Sequence, residues 1–175
     1  QLINKPIVSI DAYGELDAGQ ENHVLNIGLD DESGGYLMTK YLLECGYEHI
    51  QVCAGRDNGV DHFRYMGAQR AAKEFAGKKQ KVQFTALGMN YAKRKESYAW
   101  LIQRKKPKTA LFFLSDLYAL EAISFFSSRG VKIPEEIGIA GYDNISYAEF
   151  SVPRLTTISQ NVEQKASLAV EILME

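Results

Sequence analysis

The chain has 175 residues, of which 46% are hydrophobic and 24% charged, so it can bury a core without metals or disulfides. A formal net charge of −2 excludes a general attraction to the phosphate backbone of nucleic acids. No signal leader opens the sequence and no apolar run reaches membrane-spanning length, which favours a soluble protein. Cys45 and Cys53 are interpreted as two buried free thiols in a reducing cytoplasm.

Short apolar strands alternate along the chain with amphipathic helices. The predicted strands are rich in Val, Ile, Leu and Phe, and they cover residues 7–11, 24–29, 50–54, 82–87, 110–114 and 137–142. Helical stripes of apolar residues cover 33–45, 61–75, 116–129 and 162–173. Gly46 and Gly130 follow two of these helices and fit C-terminal caps. The alternation predicts a parallel α/β sheet flanked by helices.

Polar side chains follow all six predicted strands. They are acids, amides, hydroxyls, an arginine and a tyrosine: Asp11, Asp30, Asp31, Arg56, Asn90, Tyr91, Ser115, Asp116, Asp143 and Asn144. Because ligands of open α/β sheets bind at the carboxyl ends of the strands, these groups could grip a neutral polyol. Loops and helix caps also need polar residues, so the pattern alone leaves both interpretations open. Between a strand and a helix, Ser115-Asp116 is expected to cap the free helix amides.

Catalytic and metal-binding patterns are poorly matched. The sequence has no glycine-rich phosphate loop and no Gly-x-Ser-x-Gly elbow, and His23, His49 and His62 are isolated from one another. We therefore expect no catalytic residue, no metal and no cofactor. The basic clusters at 78–81, 93–95 and 104–106 are interpreted as solvated helix ends and loops.

Four stretches, taken in order, resemble the LacI/GalR family of lactose- and galactose-type repressors. They lie within residues 33–50, which contain Gly34 and Gly35, within 63–67 around Arg64, within 115–120, and within 133–144 together with 153–158. The resemblance runs from about Pro6 to Leu173, which is nearly the whole chain.

The resemblance implies a type I periplasmic binding protein-like fold, in which two α/β lobes with parallel sheets flanked by helices enclose a cleft. By similarity, residues 1–48 and 159–175 form a partial N-terminal lobe, and residues 49–158 form the C-terminal lobe. Relative to the family, the DNA-binding headpiece, the hinge helix, the opening half of the N-terminal lobe and the closing strand are missing. The chain is thus expected to reach operator DNA only through such a headpiece, and to have no membrane partner.

The resemblance also implies an effector site in the cleft. Arg64 matches an arginine that donates to effector hydroxyls or a carboxylate, and Asp143 matches an aspartate that accepts from sugar hydroxyls. Tyr91 matches the aromatic residue that lies against the sugar ring. Ser115 occupies a polar contact position, and Ser33 stands where many relatives carry an acid, which affects specificity.

Two further roles follow from the resemblance. Asp116 belongs to the same set of effector-binding positions, although it fits a helix cap better than a ligand contact. The segment 147–152, with Tyr147, Phe150 and Val152, resembles part of the family's dimer interface.

These features predict the effector-binding and dimerisation core of a cytoplasmic LacI/GalR-type repressor that senses a small sugar or sugar derivative. The first alternative is a periplasmic sugar receptor of a transporter, which has the same fold and cleft but no role at DNA; the segment encoded upstream would discriminate the two. The second alternative is an α/β enzyme acting on a nucleotide or sugar phosphate, for which a turnover assay would be decisive.

Overall fold

The computed structural model describes residues 7–12, 24–57, 59–75 and 80–174, and the chain divides into two compact units. The smaller unit contains residues 1–30 and 160–175, and the larger unit contains residues 31–159. Similarity to the family predicts that residues 31–48 belong to the partial N-terminal lobe. Helix α1 (Asp31–Glu44) instead packs along α2 (Gly59–Glu74) in the larger unit.

The described part of the larger unit contains one sheet of five parallel strands. In spatial order these are β4 (Lys81–Ala86), β3 (His49–Ala54), β5 (Thr109–Phe113), β6 (Gly138–Asp143) and β7 (Thr156–Ser159). Helices α3 (Tyr91–Gln103) and α4 (Asp116–Ser127) follow β4 and β5, and the short α5 (Tyr147–Phe150) follows β6. The predicted parallel α/β architecture is confirmed.

Both faces of the central part of this sheet are buried, and β5 is buried at every position. On one face, side chains of α1 and α2 such as Met38 and Ala68 pack around Phe112. On the other face, side chains of α3 and α4 such as Tyr98 pack around Phe113. Burial on two sides is the physical reason for the uninterrupted apolar runs in the sequence.

The smaller unit pairs β1 (Ile7–Ile10) with β2 (Val24–Ile27) in parallel, and α6 (Val162–Met174) packs against β1. The first strand ends one residue earlier than predicted, because Asp11 has a left-handed backbone with φ 53°. The carboxylate of Asp11 binds the buried ammonium of Lys165, with O···N distances of 2.6 and 2.7 Å.

Three elements of the larger unit were not predicted from the sequence: helix α3, the four-residue helix α5 and strand β7. Helix α3 carries charged residues at positions 93–96 and buries only Arg94, Tyr98 and Leu101, so its apolar stripe is weak. Strand β7 has four residues and no buried one, which leaves little pattern to detect. The two predicted glycine caps are confirmed, with φ 91° at Gly46 and 73° at Gly130.

Both cysteines are free thiols, but only Cys53 is buried, so the expectation of burial is wrong for Cys45. Burial raises the pKa of the Cys53 thiol well above its ordinary value. Within the described ranges, every helix is too short or too polar to cross a lipid bilayer.

Candidate functional site

A polar cluster built around Arg64 lies at the carboxyl end of the five-stranded sheet. Arg64 projects from α2, and its Nε donates to Oδ1 of Asp31, the first residue of α1, at 2.8 Å. Its Nη1 donates to the carbonyl oxygen of Leu114, directly after β5, at 3.0 Å. The guanidinium carbon lies 3.7 Å from the centroid of the Tyr142 ring, which belongs to β6. The arginine therefore joins both helices of this face to the two central strands.

Glycines allow this approach of α1 to α2. A Cβ on Gly35 would lie 1.9 Å from the carbonyl oxygen of Arg64, and a Cβ on Gly67 would lie 1.9 Å from that of Glu32. A Cβ on Gly34 would lie 2.2 Å from the hydroxyl of Tyr142, which itself donates to Asp31 at 3.3 Å. Gly35 and Gly67 therefore allow the two helix backbones to come into contact, and Gly34 leaves room for the Tyr142 hydroxyl beside Asp31.

Arg64 is 5% exposed, and its charge is stabilised by the surrounding acids. Burial alone would lower the pKa of the guanidinium, but the hydrogen bond and charge of Asp31 outweigh it and the pKa is raised. Tyr142 and Asp143 act in the same direction. Two of the predicted site residues, Arg64 and Asp143, therefore lie close enough for the charge of Asp143 to raise the pKa of Arg64.

Asp143 ends β6 in a strained backbone conformation. Its φ is 122°, and the next residue, Asn144, has φ 55°; both lie in the region that favours glycine. Asparagine adopts the left-handed conformation readily, so the unusual angle is φ 122° at Asp143, and backbone strain of that kind clusters at functional sites. Ser115 Oγ donates to Asp143 Oδ2 at 3.2 Å and makes no cap bond to α4, so the expected serine cap is wrong.

Asp116 is fully buried and holds the loop after β6. One carboxylate oxygen accepts from Thr157 Oγ1 at 2.6 Å and the other from the backbone N–H of Ile145 at 2.9 Å. Burial raises the pKa of Asp116, while the bonds from Thr157 and Ile145 act to lower it. A carboxylate with both oxygens engaged and no exposed surface anchors this loop, and the role of Asp116 at an effector remains a prediction.

Asp61 belongs to the cluster, although the sequence analysis did not single it out. It lies 3.9 Å from Arg64 Nη1, one helical turn earlier on α2. Burial raises the pKa of Asp61 from 3.8 to about 6; the charge of Arg64 acts against this shift, and those of Asp143 and Asp31 act with it. The i, i+3 spacing of Asp61 and Arg64 was the signal available in the sequence.

Two further predicted contacts, Tyr91 and Ser33, lie in the first turns of α3 and α1. Tyr91 is the first residue of α3, after the edge strand β4, and its exposed ring is 4.9 Å from the ammonium of Lys95. Ser33 lies half-buried in the first turn of α1. Helices α1 and α3 flank opposite faces of the sheet. The roles of Tyr91 and Ser33 at an effector remain predictions.

The three residues predicted for a dimer interface lie together in sequence, at and after α5, and are all exposed. Tyr147 is 73% exposed, Phe150 76% and Val152 86%. Apolar side chains this exposed within six residues are typical of a contact surface.

The chemistry available to the cluster is hydrogen bonding to a small polar molecule. Asp143 and Asp61 present carboxylate oxygens, and the bonds of Arg64 to Asp31 and Leu114 use two of its five N–H donors. In the described ranges, no group of three or more His, Cys, Asp or Glu residues is arranged to hold a metal ion.

Sequence comparison relates the chain to bacterial regulators. The profile of a family described as a periplasmic binding protein-like domain matches residues 39–175. The HTH-type transcriptional repressor PurR of Haemophilus influenzae is 35% identical over 153 residues, which are 84% of this chain and 45% of that protein. PurR of Aliivibrio fischeri is 37% identical over 150 residues, 83% of this chain and 44% of that protein. The chain thus spans less than half the length of these curated relatives.

Solved structures share the fold over almost the whole chain. A LacI family transcriptional regulator from Enterococcus faecium with bound ribose has a TM-score of 0.80 at 24% identity, covering 97% of this chain and 61% of its own. A periplasmic binding protein/LacI transcriptional regulator from Alkaliphilus metalliredigens, complexed with D-xylulofuranose, has a TM-score of 0.80 at 25% identity, covering 99% of this chain and 62% of its own.

Proposed function

Because the chain belongs to the family of periplasmic binding protein-like domains and is an effector-binding domain of the LacI/GalR type, we propose that it is the sensing core of a transcriptional repressor. The single observation that carries this proposal is the buried ion pair of Arg64 with Asp31, which lies at the carboxyl ends of β5 and β6 and is influenced by the charge of Asp143. This edge is where open α/β sheets bind their ligands.

The effector that fits this chemistry is a small sugar or sugar derivative. Asp143 would accept from ring hydroxyls, while Ser115 and the remaining N–H donors of Arg64 would fix the orientation of the sugar. The strained backbone at Asp143 supports such a role, since strain of this kind is retained where it serves function. Two proteins of similar fold hold ribose and D-xylulofuranose in their structures, which supports a sugar rather than a charged metabolite.

The repressor role requires the sugar to favour one arrangement of the effector domain over another. A ligand shifts such an equilibrium only through its differential affinity for the two states. The change would then reach DNA through a helix-turn-helix headpiece of the kind named in the curated relatives, in a cytoplasmic homodimer joined by Tyr147, Phe150 and Val152.

Calorimetry with a panel of free pentoses and hexoses, beginning with D-ribose, tests the sugar assignment. We expect saturable binding that is weakened in Asp143→Ala and unchanged in Lys73→Ala, which removes an exposed cation from α2. If no sugar of the panel binds, the sugar assignment is wrong. If Asp143→Ala binds the sugar with the affinity of the parent, Asp143 is not part of the site.

Operator binding by the complete regulator, measured with and without the identified sugar, tests the repressor role. We expect the affinity for operator DNA to change in either direction when the sugar is bound. A sugar that binds tightly but leaves operator affinity unaltered would show that the domain senses without regulating DNA binding.

A further inference from the structure

A cavity lies at the amino end of the same sheet, opposite the end that carries the Arg64 cluster. It has a volume of about 230 Å³ and lies against β3, β4, β5 and the end of α3. The floor of the cavity begins at His49, Lys81 and Thr109, the first residues of β3, β4 and β5. His49 pairs with Lys81 on one side and with Thr109 on the other. Because β3 is six residues long, about 20 Å of strand separates this end from the carboxyl end. The cavity is therefore distinct from the site around Arg64.

The floor of this cavity is polar, although it lies on a sheet face that a helix covers. Thr85 Oγ1 donates to Gln51 Oε1 at 2.9 Å, and Gln51 Nε2 donates to Gln83 Oε1 at 3.3 Å. The side-chain nitrogen of Gln83 makes no hydrogen bond with another described residue, so it remains available as a donor. A polar row at these positions is not required by the fold, because β5 on the same face is apolar at Leu111 and Phe113.

The wall of the cavity combines an exposed aromatic ring with positive charge. Trp100 is 45% exposed, and the guanidinium carbon of Arg104 lies 5.0 Å from its ring. Lys81 and Lys106 also line the cavity, and within the described ranges neither these lysines nor Arg104 forms a salt bridge. Lys105 is neutralised by Glu136 at 2.5 Å.

The end of α3 accounts for part of this charge but not for the whole arrangement. Cations near a helix C-terminus interact favourably with its dipole, which explains why Arg104 and Lys105 occur there. The helix dipole does not explain Lys81, because this residue belongs to a strand. It also does not explain the uncharged indole of Trp100 beside the glutamine side chains of the floor. Together, the ring, the amides and the three cations without salt bridges form a surface suited to a flat, anionic molecule.

We propose that this cavity binds a nucleoside monophosphate, with the base stacked on Trp100 and the phosphate held by Lys81 and Arg104. Aromatic side chains stack on any base, and arginine pairs with phosphate in two-pronged geometry. The amide of Gln83 would donate to an edge of the base. A cavity of about 230 Å³ is below the roughly 300–1,000 Å³ of ordinary ligand sites, so it has no room for a dinucleotide, and a mononucleotide would leave part of itself at the rim.

The chain carries its own probe for this site. Trp100 is the one tryptophan among the 175 residues, so its emission reports on this cavity alone. We expect AMP to change the tryptophan emission saturably, and adenosine and inorganic phosphate to bind at least about tenfold more weakly, because each lacks one half of the contacts.

Variants assign the response to the cavity. Lys81→Gln and Arg104→Gln should each raise the dissociation constant for AMP by about tenfold, and Lys73→Gln, on the other face of the sheet, should leave it unchanged. The Trp100→Ala variant lacks the fluorescent residue, so its AMP binding is measured by calorimetry. We expect this variant to lose AMP binding. Asp143→Ala should bind AMP as the parent does, which separates this site from the effector cluster.

Three results would overturn the proposal. They are the absence of a saturable change with AMP, parental affinity in both Lys81→Gln and Arg104→Gln, and binding of inorganic phosphate as tight as that of AMP. Loss of AMP binding in Asp143→Ala would also overturn it, since the nucleotide would then occupy the effector cluster.

Discussion

Arg64 and Asp31, which are 33 residues apart in the sequence, form a buried ion pair with Nε 2.8 Å from Oδ1. The pair joins the start of α1 to the middle of α2, and the aromatic ring of Tyr142 covers the guanidinium. The family resemblance identified Arg64 only as an effector contact. Its burial shows that it also stabilises the larger unit, so its substitution has two consequences rather than one.

Arg64→Ala is expected to destabilise the chain by about 3 kcal/mol, because it leaves the carboxylate of Asp31 buried without its cation. Urea denaturation monitored by circular dichroism measures the change. Arg70→Ala is the matched control on the same helix, since its exposed pair with Glu32 contributes within about 1 kcal/mol. Equal midpoints for Arg64→Ala and the parent would contradict the structural role.

Asp143→Ala is expected to weaken sugar binding by about 1–3 kcal/mol, the cost of losing a hydrogen bond to a charged group. Ser115→Ala should have a smaller effect, because the serine acts partly through its 3.2 Å bond to Asp143. Calorimetric titration of both variants with the tightest sugar of the panel provides the comparison. A larger loss in Ser115→Ala than in Asp143→Ala would reverse the assigned roles.

Gly35→Ala is expected to separate α1 from α2, because the added Cβ would lie 1.9 Å from the carbonyl oxygen of Arg64. Overpacking of this kind costs about 1–3 kcal/mol or more. Thermal unfolding of Gly35→Ala should show a lowered midpoint. Gly55→Ala is the control, since no atom lies within 4 Å of its built Cβ. A midpoint lowered as much in Gly55→Ala would indicate an effect of backbone entropy or propensity instead.

The contribution of Asp61 to stability should fall as the pH rises from about 4 to about 6, because the pKa of Asp61 is raised from 3.8 to about 6 in the folded chain. In this window the folded state binds more protons at Asp61 than the unfolded state, so protonation favours folding. Asp61→Asn should equal the parent near pH 4 and exceed it at pH 8 by about 1–2 kcal/mol, because solvent contact reduces the full effect of the shift.

Urea midpoints of the parent and Asp61→Asn at pH 4 and pH 8 test this assignment. Glu44→Gln removes an exposed carboxylate from α1 and should leave the pH dependence of the parent intact. An Asp61→Asn variant that retains the parent's full pH dependence would place the titrating group elsewhere, for example at Asp116, whose pKa is also raised.

Phe150→Asp is expected to convert a dimer to a monomer, because it places a charge in an apolar surface formed with Tyr147 and Val152. Sedimentation velocity measures the change in association. Leu37→Asp is the control: its side chain is similarly exposed, on α1, away from this segment. A parent chain that is monomeric at high concentration would remove the dimer proposal.

Much of the larger unit could be predicted because its strands are buried on both faces. Strand β5, for example, is an unbroken apolar run bounded by polar residues, which is unambiguous in the sequence. Helix α3 was missed because its four consecutive charged positions hide a stripe that depends on Tyr98 and Leu101. Propensity and periodicity report local pattern, whereas this helix is held by long-range contacts, including the bidentate bond of Arg94 to Glu121.

The site could be predicted only as a set of residue types at strand ends. Asp143 and Ser115 were identified, and they contact each other. Asp116 was included for the same reason, but its two oxygens bind Thr157 and Ile145, which lie 41 and 29 residues away. No local pattern distinguishes an aspartate that faces a ligand from one that anchors a loop.

The sequence by itself determined the fold class, since strands covered on both faces must be apolar throughout and helices must present one apolar stripe. It also determined which polar residues reach the carboxyl edge of the sheet, because parallel strands all end there. The tertiary structure alone decided which charges compensate one another. That choice depends on atomic distances between helices, and the distance between α1 and α2 is set where the backbone at Gly35 meets that of Arg64.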